Sequence, residues 1–346
     1  MSVRARREGV VIAFGLIVVL GVGLLPPTVV PTAHATFPGR PGAIVFASLQ
    51  GPCLTGTGPL TAGPLCDFDI FTVPSNGAAI QQLTQGSEAD IQPSWSPDGR
   101  RIAFARLHPS FATADIYVME GDGTGLTNLT QDPVISDYVP AWSPKGDKIV
   151  FARRNNPTDP TDVNLHVINA DGTGLVQITD TPGIESSPEW SPDGRLIIFA
   201  RDREASGAAG TPLEVIRPDG SGRRVVTDPG VQAFGPHWSP DGKKILFGSG
   251  QSQIQTPFIS LAAGEADRDI WMMRRDGTHP QNLTADSDAD NLFGIWSPDG
   301  KRIAFLSDRD GAYKIYTMRS DGSNVVKLID IELDASEAGL DWGPRP

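Results

Sequence analysis

Cysteine, histidine and positive charge are all scarce in this chain. Its 346 residues include two cysteines and five histidines, and the formal net charge is −12. The few histidines and cysteines are not clustered as a zinc or transition-metal site requires. The acidic balance disfavours nucleic acid as a partner, because nucleic-acid-binding proteins present a basic field to the phosphates.

The two cysteines, Cys53 and Cys66, lie close together in the sequence. In an oxidising compartment we expect them to form a disulfide, which would stabilise the protein by roughly 3 kcal/mol on the chain-entropy model. A redox or metal-binding role is the alternative, and no third ligand lies nearby in the sequence to support it.

Sequence motifs of common catalytic sites are also missing. The chain contains neither a Gly-x-Ser-x-Gly nucleophile motif nor a phosphate-binding glycine loop followed by lysine. Asp308 and Asp310, in the tetrapeptide Asp-Arg-Asp-Gly, match a calcium-binding loop only weakly, and such a tetrapeptide is more often a turn. We therefore expect a non-catalytic protein without a cofactor, with calcium as the one candidate ion.

Long apolar runs are absent except at the N-terminus. Three arginines in the first seven residues precede the apolar and glycine residues 10–25, and an Ala-x-Ala sequence ends at Ala35. This order is typical of a secretory signal peptide. We expect cleavage after Ala35 and a mature chain, residues 36–346, that is secreted, periplasmic or associated with the cell envelope. An uncleaved membrane anchor within residues 1–35 is the alternative.

What the chain does have is a repeat. A Trp-Ser-Pro-x-Gly motif occurs five times, and a shortened Trp-Gly-Pro copy follows near the C-terminus, so that the tryptophans are Trp95, Trp142, Trp190, Trp238, Trp296 and Trp342. Nine residues after each of the first five tryptophans comes a phenylalanine that ends an apolar stretch. A sixth such stretch lies near the N-terminus, and the six phenylalanines are Phe46, Phe104, Phe151, Phe199, Phe247 and Phe305.

A second motif also occurs six times. It consists of a strand-like segment, an Asp-Gly or Asn-Gly turn and a short segment that ends near Leu-Thr. The central positions of the first segment are Phe71, Tyr117, His166, Glu214, Trp271 and Tyr316. Pro-x-Gly and Asp-Gly are turn sequences. Each repeat therefore predicts four short antiparallel strands, A to D, joined by tight A–B and C–D turns.

Four-stranded sheets of this kind cannot bury both faces by themselves, so they stack around an axis. The sequence predicts an all-β fold, a six-bladed β-propeller of four-stranded antiparallel blades over about residues 42–343. The C-terminal strand at Trp342 is expected to pair with the N-terminal blade at Phe46. Such closure removes free sheet edges and is consistent with a monomer.

Residues 95–104 (WSPDGRRIAF) and 296–305 (WSPDGKRIAF) carry a specific resemblance. They resemble the repeat of the TolB-like (WD40-like, PD40) β-propeller family, and the resemblance extends over about residues 42–343. It implies a propeller fold. TolB itself carries an α/β domain before the propeller, and this chain is expected to lack that domain.

The predicted connections differ between the two ends of the strands. The A–B and C–D turns have constant lengths, whereas the connections at the other end vary, the longest being residues 48–68 and 248–268. Variable loops on a rigid scaffold are typical of a binding surface. We therefore predict that the face with the B–C and D–A loops binds the partner. Tolerated insertions without function are the alternative.

Acidic residues gather on this predicted face. They are Asp90, Asp137, Glu185 and Glu337, each five residues before a repeat tryptophan, and Asp288 and Asp290 on a neighbouring loop. One interpretation is an acidic ring at the channel mouth that binds a cation or a basic peptide. The other is a set of cross-strand ion pairs between the first three acids and Arg106, Arg153 and Arg201.

Two further residues are singled out. Glu337 has no arginine partner in its repeat, which makes it the better candidate for function among the acids. His237 directly precedes Trp238 and is the one histidine expected near the propeller axis.

Together these features predict an exported, non-catalytic scaffold that recognises a protein, a peptide or an envelope glycan. Contact with a membrane is expected only through an uncleaved N-terminal segment. A metal-dependent carbohydrate lyase or hydrolase on a propeller scaffold, in which His237 would be needed for turnover, is one alternative. A membrane-anchored sensor ectodomain is another.

Overall fold

The computed structural model describes residues 38–49, 68–108, 113–159, 161–202, 210–250, 268–285, 287–331, 333 and 339–346. In these ranges the 24 elements of secondary structure are all β-strands. The described part of the chain contains no helix with the length and apolar character that crossing a membrane requires. Residues 1–37, Cys53, Cys66 and Glu337 lie outside the described residues, so the predicted leader, disulfide and Glu337 site stay predictions.

The strands follow the repeats of the sequence. The first sheet contains β1 (Pro41–Leu49), β2 (Phe68–Pro74), β3 (Gln81–Gln82) and β24 (Leu340–Pro344), and the second contains β4 (Ala89–Trp95), β5 (Arg101–Leu107), β6 (Ala114–Glu120) and β7 (Thr127–Asn128). The third contains β8 (Ser136–Trp142), β9 (Lys148–Arg154), β10 (Asp162–Asn169), β11 (Val176–Gln177), β12 (Gly183–Trp190), β13 (Ile197–Asp202), β14 (Leu213–Ile216) and β15 (Arg224–Val225). The fourth contains β16 (Ala233–Trp238), β17 (Lys244–Gly250), β18 (Arg268–Arg274) and β19 (Gln281–Asn282), and the fifth contains β20 (Asn291–Trp296), β21 (Arg302–Ser307), β22 (Lys314–Arg319) and β23 (Val326–Lys327).

The prediction of six separate four-stranded blades is wrong. Within the described residues, four sheets have four strands, and the remaining eight strands form one sheet. The third and fourth repeats are joined because β10 and β12 pair in parallel, Asp162 with Gly183 and Val163 with Ile184. Gly183 has a φ of 120°. A Cβ placed there would lie 2.5 Å from the carbonyl oxygen of Asp202. The absent side chain therefore allows β12 to start early, beside β10.

The first strand of each repeat lies innermost, and we call β4, β8, β12, β16, β20 and β24 the inner strands. Each inner strand contacts the inner strand of the next repeat, and β24 contacts both β20 and β4. The chain also closes on itself within the first sheet. There β24 pairs antiparallel with β1, with Ile44 opposite Trp342 and Phe46 opposite Leu340. The expected pairing of the C-terminal strand with the N-terminal one is therefore present.

Every inner strand changes direction three residues before its tryptophan. The residues there have φ between 38° and 58°, and they are Gln92, Val139, Ser187, Gly235, Phe293 and Gly339. The pairing with the second strand shifts register at this point in five repeats. A positive φ is unfavourable for a β-branched residue such as Val139. Its N–H donates to the Gln92 Oε1 of the neighbouring inner strand at 2.9 Å, which helps to hold this backbone.

The core contains pairs of residues in which one member comes from each of the two repeat motifs. Each strand-B phenylalanine lies directly opposite the central residue of strand C, for example Phe104 opposite Tyr117. Their rings stack with centroids 6.0 Å apart. His166 occupies the same position opposite Phe151, also at 6.0 Å, and burial lowers its pKa to about 4. His166 is therefore a neutral packing residue.

Candidate functional site

The antiparallel strand order places the variable connections at one end of the sheets. We call this end, with the B–C and D–A connections, the loop face, and the opposite end, with the A–B and C–D turns, the turn face. Asp90, Asp137 and Glu185 lie near the start of the inner strands β4, β8 and β12. The structure therefore places these three predicted site residues at the loop face, at the same height in three consecutive repeats.

Two of the three acids form the expected cross-strand ion pairs. Asp90 accepts two hydrogen bonds from Arg106, from Nε at 2.6 Å and from Nη2 at 2.8 Å. Asp137 accepts the same pair of bonds from Arg153, both at 2.7 Å. Such bidentate contacts fix the orientation of both side chains. Burial raises the pKa of Asp90 and of Asp137, whereas the paired arginines oppose that rise.

The third expected pair is wrong. Arg201 stands opposite Glu185 in the strand register, yet its Nη2 donates to the carbonyl oxygen of Pro182 instead. Glu185 pairs with Arg223, whose Nη2 lies 2.7 Å from Glu185 Oε1. The difference has a cause in this repeat: Glu214 replaces the aromatic residue of strand C and accepts a bond of 2.6 Å from Arg223 Nε. One arginine therefore bridges two buried glutamates.

An arginine above the strand-B phenylalanine is a shared feature of four repeats. The guanidinium groups lie 5.1–5.6 Å from the strand-B phenylalanine rings, and the pairs are Arg106 with Phe104, Arg153 with Phe151, Arg223 with Phe199 and Arg309 with Phe305. Arg309 also donates to Asn291 Oδ1 at 3.1 Å, at the position of the acids in other repeats. The sequence does not single out Arg223 and Arg309, because they come from different places in their repeats and share no spacing.

Asp290 belongs to a compact polar network at the loop face. It pairs with Arg268 at the start of β18 and accepts a hydrogen bond of 2.6 Å from the Tyr313 hydroxyl. Its own N–H donates to Asp308 Oδ1 at 2.8 Å. Burial is the main cause that raises the pKa of Tyr313, and its hydrogen bond to the Asp290 carboxylate is the second. Asp288, two residues earlier, is exposed.

The two aspartates of the weak calcium motif have separate protein partners. Asp308 accepts the Asp290 N–H, whereas Asp310 accepts the Tyr316 hydroxyl at 2.7 Å and lies 3.2 Å from Lys327 Nζ. The hydrogen bond from Tyr316 is the main cause that lowers the pKa of Asp310. Among the described residues no group of three or more His, Cys, Asp or Glu side chains could hold a metal ion. Calcium binding stays a prediction.

His237 lies in the interior rather than on the loop face. Its side chain is 1% exposed. Its Nδ1 accepts a long hydrogen bond of 3.4 Å from the Trp296 N–H of the neighbouring inner strand. Glu189 makes the equivalent contact one repeat earlier, where its Oε2 accepts the Trp238 N–H at 2.8 Å. Residues before the repeat tryptophan therefore link adjacent inner strands.

Comparison with known proteins agrees with this architecture. The family profile described as PD40, TolB beta propeller domain, matches residues 67–265. TolB of Acinetobacter baumannii superposes with a TM-score of 0.65 at 16% identity, over 88% of this chain and 67% of that chain. The putative TolB of Agrobacterium tumefaciens gives a TM-score of 0.61 at 17% identity, over 89% of this chain and 100% of that chain. At such identities these structures support the fold alone.

A curated relative matches a much shorter stretch. The uncharacterized peptidase YuxL of Bacillus subtilis (strain 168) is 44% identical over 50 residues, which is 14% of this chain and 7% of that protein. The family profile, by contrast, covers more than half of the chain and includes four of the repeat tryptophans. The chain therefore belongs to the TolB β-propeller (PD40) family.

Proposed function

We propose that this protein is an extracytoplasmic, non-catalytic scaffold that binds a protein or peptide through its loop face. The observation that carries the proposal is the combination of a rigid rim and exposed charge at that face. The rim is held by the bidentate Asp90–Arg106 and Asp137–Arg153 pairs. Family membership and the N-terminal arginine-plus-apolar segment support export.

The described part of the loop face carries exposed acidic residues. Asp180, Asp228 and Asp288 are exposed and lie on three successive D–A connections. The buried acids beneath them are neutralised by arginines, so these outer aspartates carry the potential that an approaching partner meets. Complementary charge speeds association and selects partners. A basic protein segment therefore fits this face better than an acidic or neutral one.

A catalytic role has less support in the described residues. The metal-dependent lyase or hydrolase would require His237, which is buried and bonded to the Trp296 backbone. The curated relative named as a peptidase matches over 14% of this chain, too little to carry an activity across. The proposal therefore assigns recognition, and no reaction, to the loop face.

The test is affinity capture from an extract of the extracytoplasmic fraction. Three immobilised proteins are compared: the intact chain, a loop-face variant (Asp180→Lys, Asp228→Lys, Asp288→Lys) and a turn-face control (Lys145→Glu, Lys243→Glu, Lys301→Glu). The proposal expects a basic protein that the intact chain and the control retain and the loop-face variant loses. Equal retention by all three, or retention of a glycan alone, contradicts it.

A further inference from the structure

The A–B turns form a ring at the turn face, which is the end of the molecule opposite the loop face. The glycine of each turn lies against the proline of the preceding turn, so that a Cβ on Gly146 would lie 3.2 Å from Pro97 Cγ. The same neighbours recur around the axis as Gly194 with Pro144, Gly242 with Pro192, Gly300 with Pro240 and Gly99 with Pro344. Because the turns have equal length, their tips form a ring of equivalent positions.

This ring carries exposed cations. Every A–B turn, and the end of β24, presents an exposed basic residue, and these are Arg100, Lys145, Arg195, Lys243, Lys301 and Arg345. The Lys243 and Lys301 side chains are 79% and 81% exposed. We call these six residues the basic ring. Behind it stand four more basic residues, Arg101, Lys148, Lys244 and Arg302.

The acids of the same turns cancel only part of this charge. There are five of them against ten basic residues: Asp98, Asp147, Asp193, Asp241 and Asp299. Each accepts a hydrogen bond within its own turn, as when Asp98 Oδ1 accepts a bond of 2.6 Å from the Ser96 hydroxyl. Two of them also lie near a lysine of the basic ring: Asp241 Oδ2 is 3.4 Å from Lys243 Nζ, and Asp299 Oδ2 is 3.9 Å from Lys301 Nζ. The C–D turns at the same end add six acids and four arginines: Glu120, Asp122, Asp171, Asp219, Asp276 and Asp321, with Arg217, Arg274, Arg275 and Arg319. Among the described residues the turn face therefore holds 14 basic against 11 acidic residues and is net positive, in a chain whose total charge is −12. The two ends of the molecule carry opposite charge.

The N-terminal end of the described chain lies at the same mouth. Gly39 N–H donates to the carbonyl oxygen of Pro298 at 3.1 Å, and Arg345 N–H donates to the carbonyl oxygen of Arg40 at 2.8 Å. Twelve residues separate the apolar residues 10–25 from Pro38. A fully extended chain of that length spans at most about 40 Å. If the apolar segment were anchored, the turn face would therefore lie within about 40 Å of the bilayer.

We propose that the basic ring binds the surface of an anionic lipid bilayer, with the loop face pointing away from it. The residues of the basic ring lie at the tips of turns arranged around one axis, so a planar surface of anionic headgroups can contact all six at once. A linear polyanion would contact only some of them. Basic residues at an anionic membrane surface each contribute about 1 kcal/mol. The inference concerns the opposite end from the proposed partner site and stands independently of it.

The experiment measures partitioning of the full-length chain into phosphatidylcholine vesicles with and without phosphatidylglycerol. The readout is the ratio of the two partition coefficients, since the apolar N-terminal segment contributes to both. The ring variant is Lys145→Gln, Lys243→Gln and Lys301→Gln. The matched control, Asp180→Asn, Asp228→Asn and Asp288→Asn, removes three charges at the loop face and changes the net charge by the same magnitude in the opposite direction.

The proposal expects the ratio to fall more than tenfold in the ring variant and in high salt, and to change less than about threefold in the control. The substitutions Lys145→Arg, Lys243→Arg and Lys301→Arg should keep the ratio at its wild-type value, which separates lost charge from lost folding. A wild-type ratio near one would overturn the proposal. So would equal and opposite changes in the ring variant and the control, because net charge alone would then govern binding.

Discussion

The Asp341 carboxylate accepts a hydrogen bond of 2.6 Å from the backbone N–H of Trp95. Asp341 belongs to β24, the last strand, and Trp95 ends β4 in the second sheet. The final strand is therefore bonded to two sheets at once, to β1 through its backbone and to β4 through this side chain. Because the side chain is fully buried, desolvation raises its pKa well above 3.8.

Replacing Asp341 with asparagine should change how stability depends on pH. In the wild type the pKa of Asp341 is higher in the folded protein than in the unfolded chain. As pH rises above about 4, Asp341 therefore ionises in the unfolded chain while it stays protonated in the folded protein. Wild-type stability therefore falls with rising pH, by about 1.4 kcal/mol for each pKa unit of elevation. Asp341→Asn keeps an acceptor for Trp95 and removes the titration. Urea unfolding should show the variant gaining relative to wild type from pH 4 to pH 7; a constant difference would contradict the burial argument.

Removing β24 should destabilise the whole molecule. Deletion of residues 340–346 exposes the paired edge of β1 and removes the buried Trp342. Loss of a buried aromatic alone costs about 3–5 kcal/mol. We expect Tm to fall by more than about 10 °C, measured by calorimetry. Deletion of Pro346 alone is the control and should leave Tm nearly unchanged. An unchanged Tm after the longer deletion would show that closure contributes little.

Gly248 should not tolerate a methyl group while Phe234 is present. The two residues are paired across β16 and β17, and a Cβ on Gly248 would lie 2.1 Å from the Phe234 ring. Gly248→Ala should cost about 1–3 kcal/mol, the usual range for overpacking. Other repeats combine alanine here with a different partner, as Ala105 with Ile91. The double variant Phe234→Ile with Gly248→Ala should therefore recover most of the loss in urea denaturation, and strictly additive losses would refute the clash.

The contribution of the Asp137–Arg153 pair to stability can be compared with that of the uncharged pair that another repeat has at the same positions. Arg153→Ser leaves the fully buried Asp137 without its bidentate partner, which should cost about 3–5 kcal/mol. The fifth repeat has Ala233 opposite Ser249 at the same positions. Asp137→Ala combined with Arg153→Ser should regain more than half of the loss in urea denaturation. If the double variant is no more stable than the single one, coupling between the two side chains is small.

Local spacing predicted the strands well. Phe104 lies opposite Tyr117 because a short tight turn joins each strand to the next, and constant turn lengths fix which residues meet. The same reasoning placed Asp90 opposite Arg106. Both relationships lie within one repeat, where the number of residues determines the register.

Contacts that the turn lengths do not determine were not predictable in this way. The parallel pairing of β10 with β12 depends on the backbone of Gly183, and no side-chain periodicity reports it. Arg223, which directly precedes β15, reaches Glu185 across its own repeat at a spacing that differs from that of Arg106 and Arg153 to their acids, so the sequence did not indicate that it takes the place of Arg201. Both errors arise where backbone conformation or a long side chain joins parts of the chain that the repeat treats as independent.

The position of β24 also sets the order in which the molecule can be completed. A ribosome produces β1 first and β24 last, yet the two are neighbours in one sheet. Until the final residues emerge, one side of β1 has unpaired backbone groups that could pair with another nascent chain. A translational pause at any point between β1 and β24 would lengthen the time for which that side of β1 is unpaired.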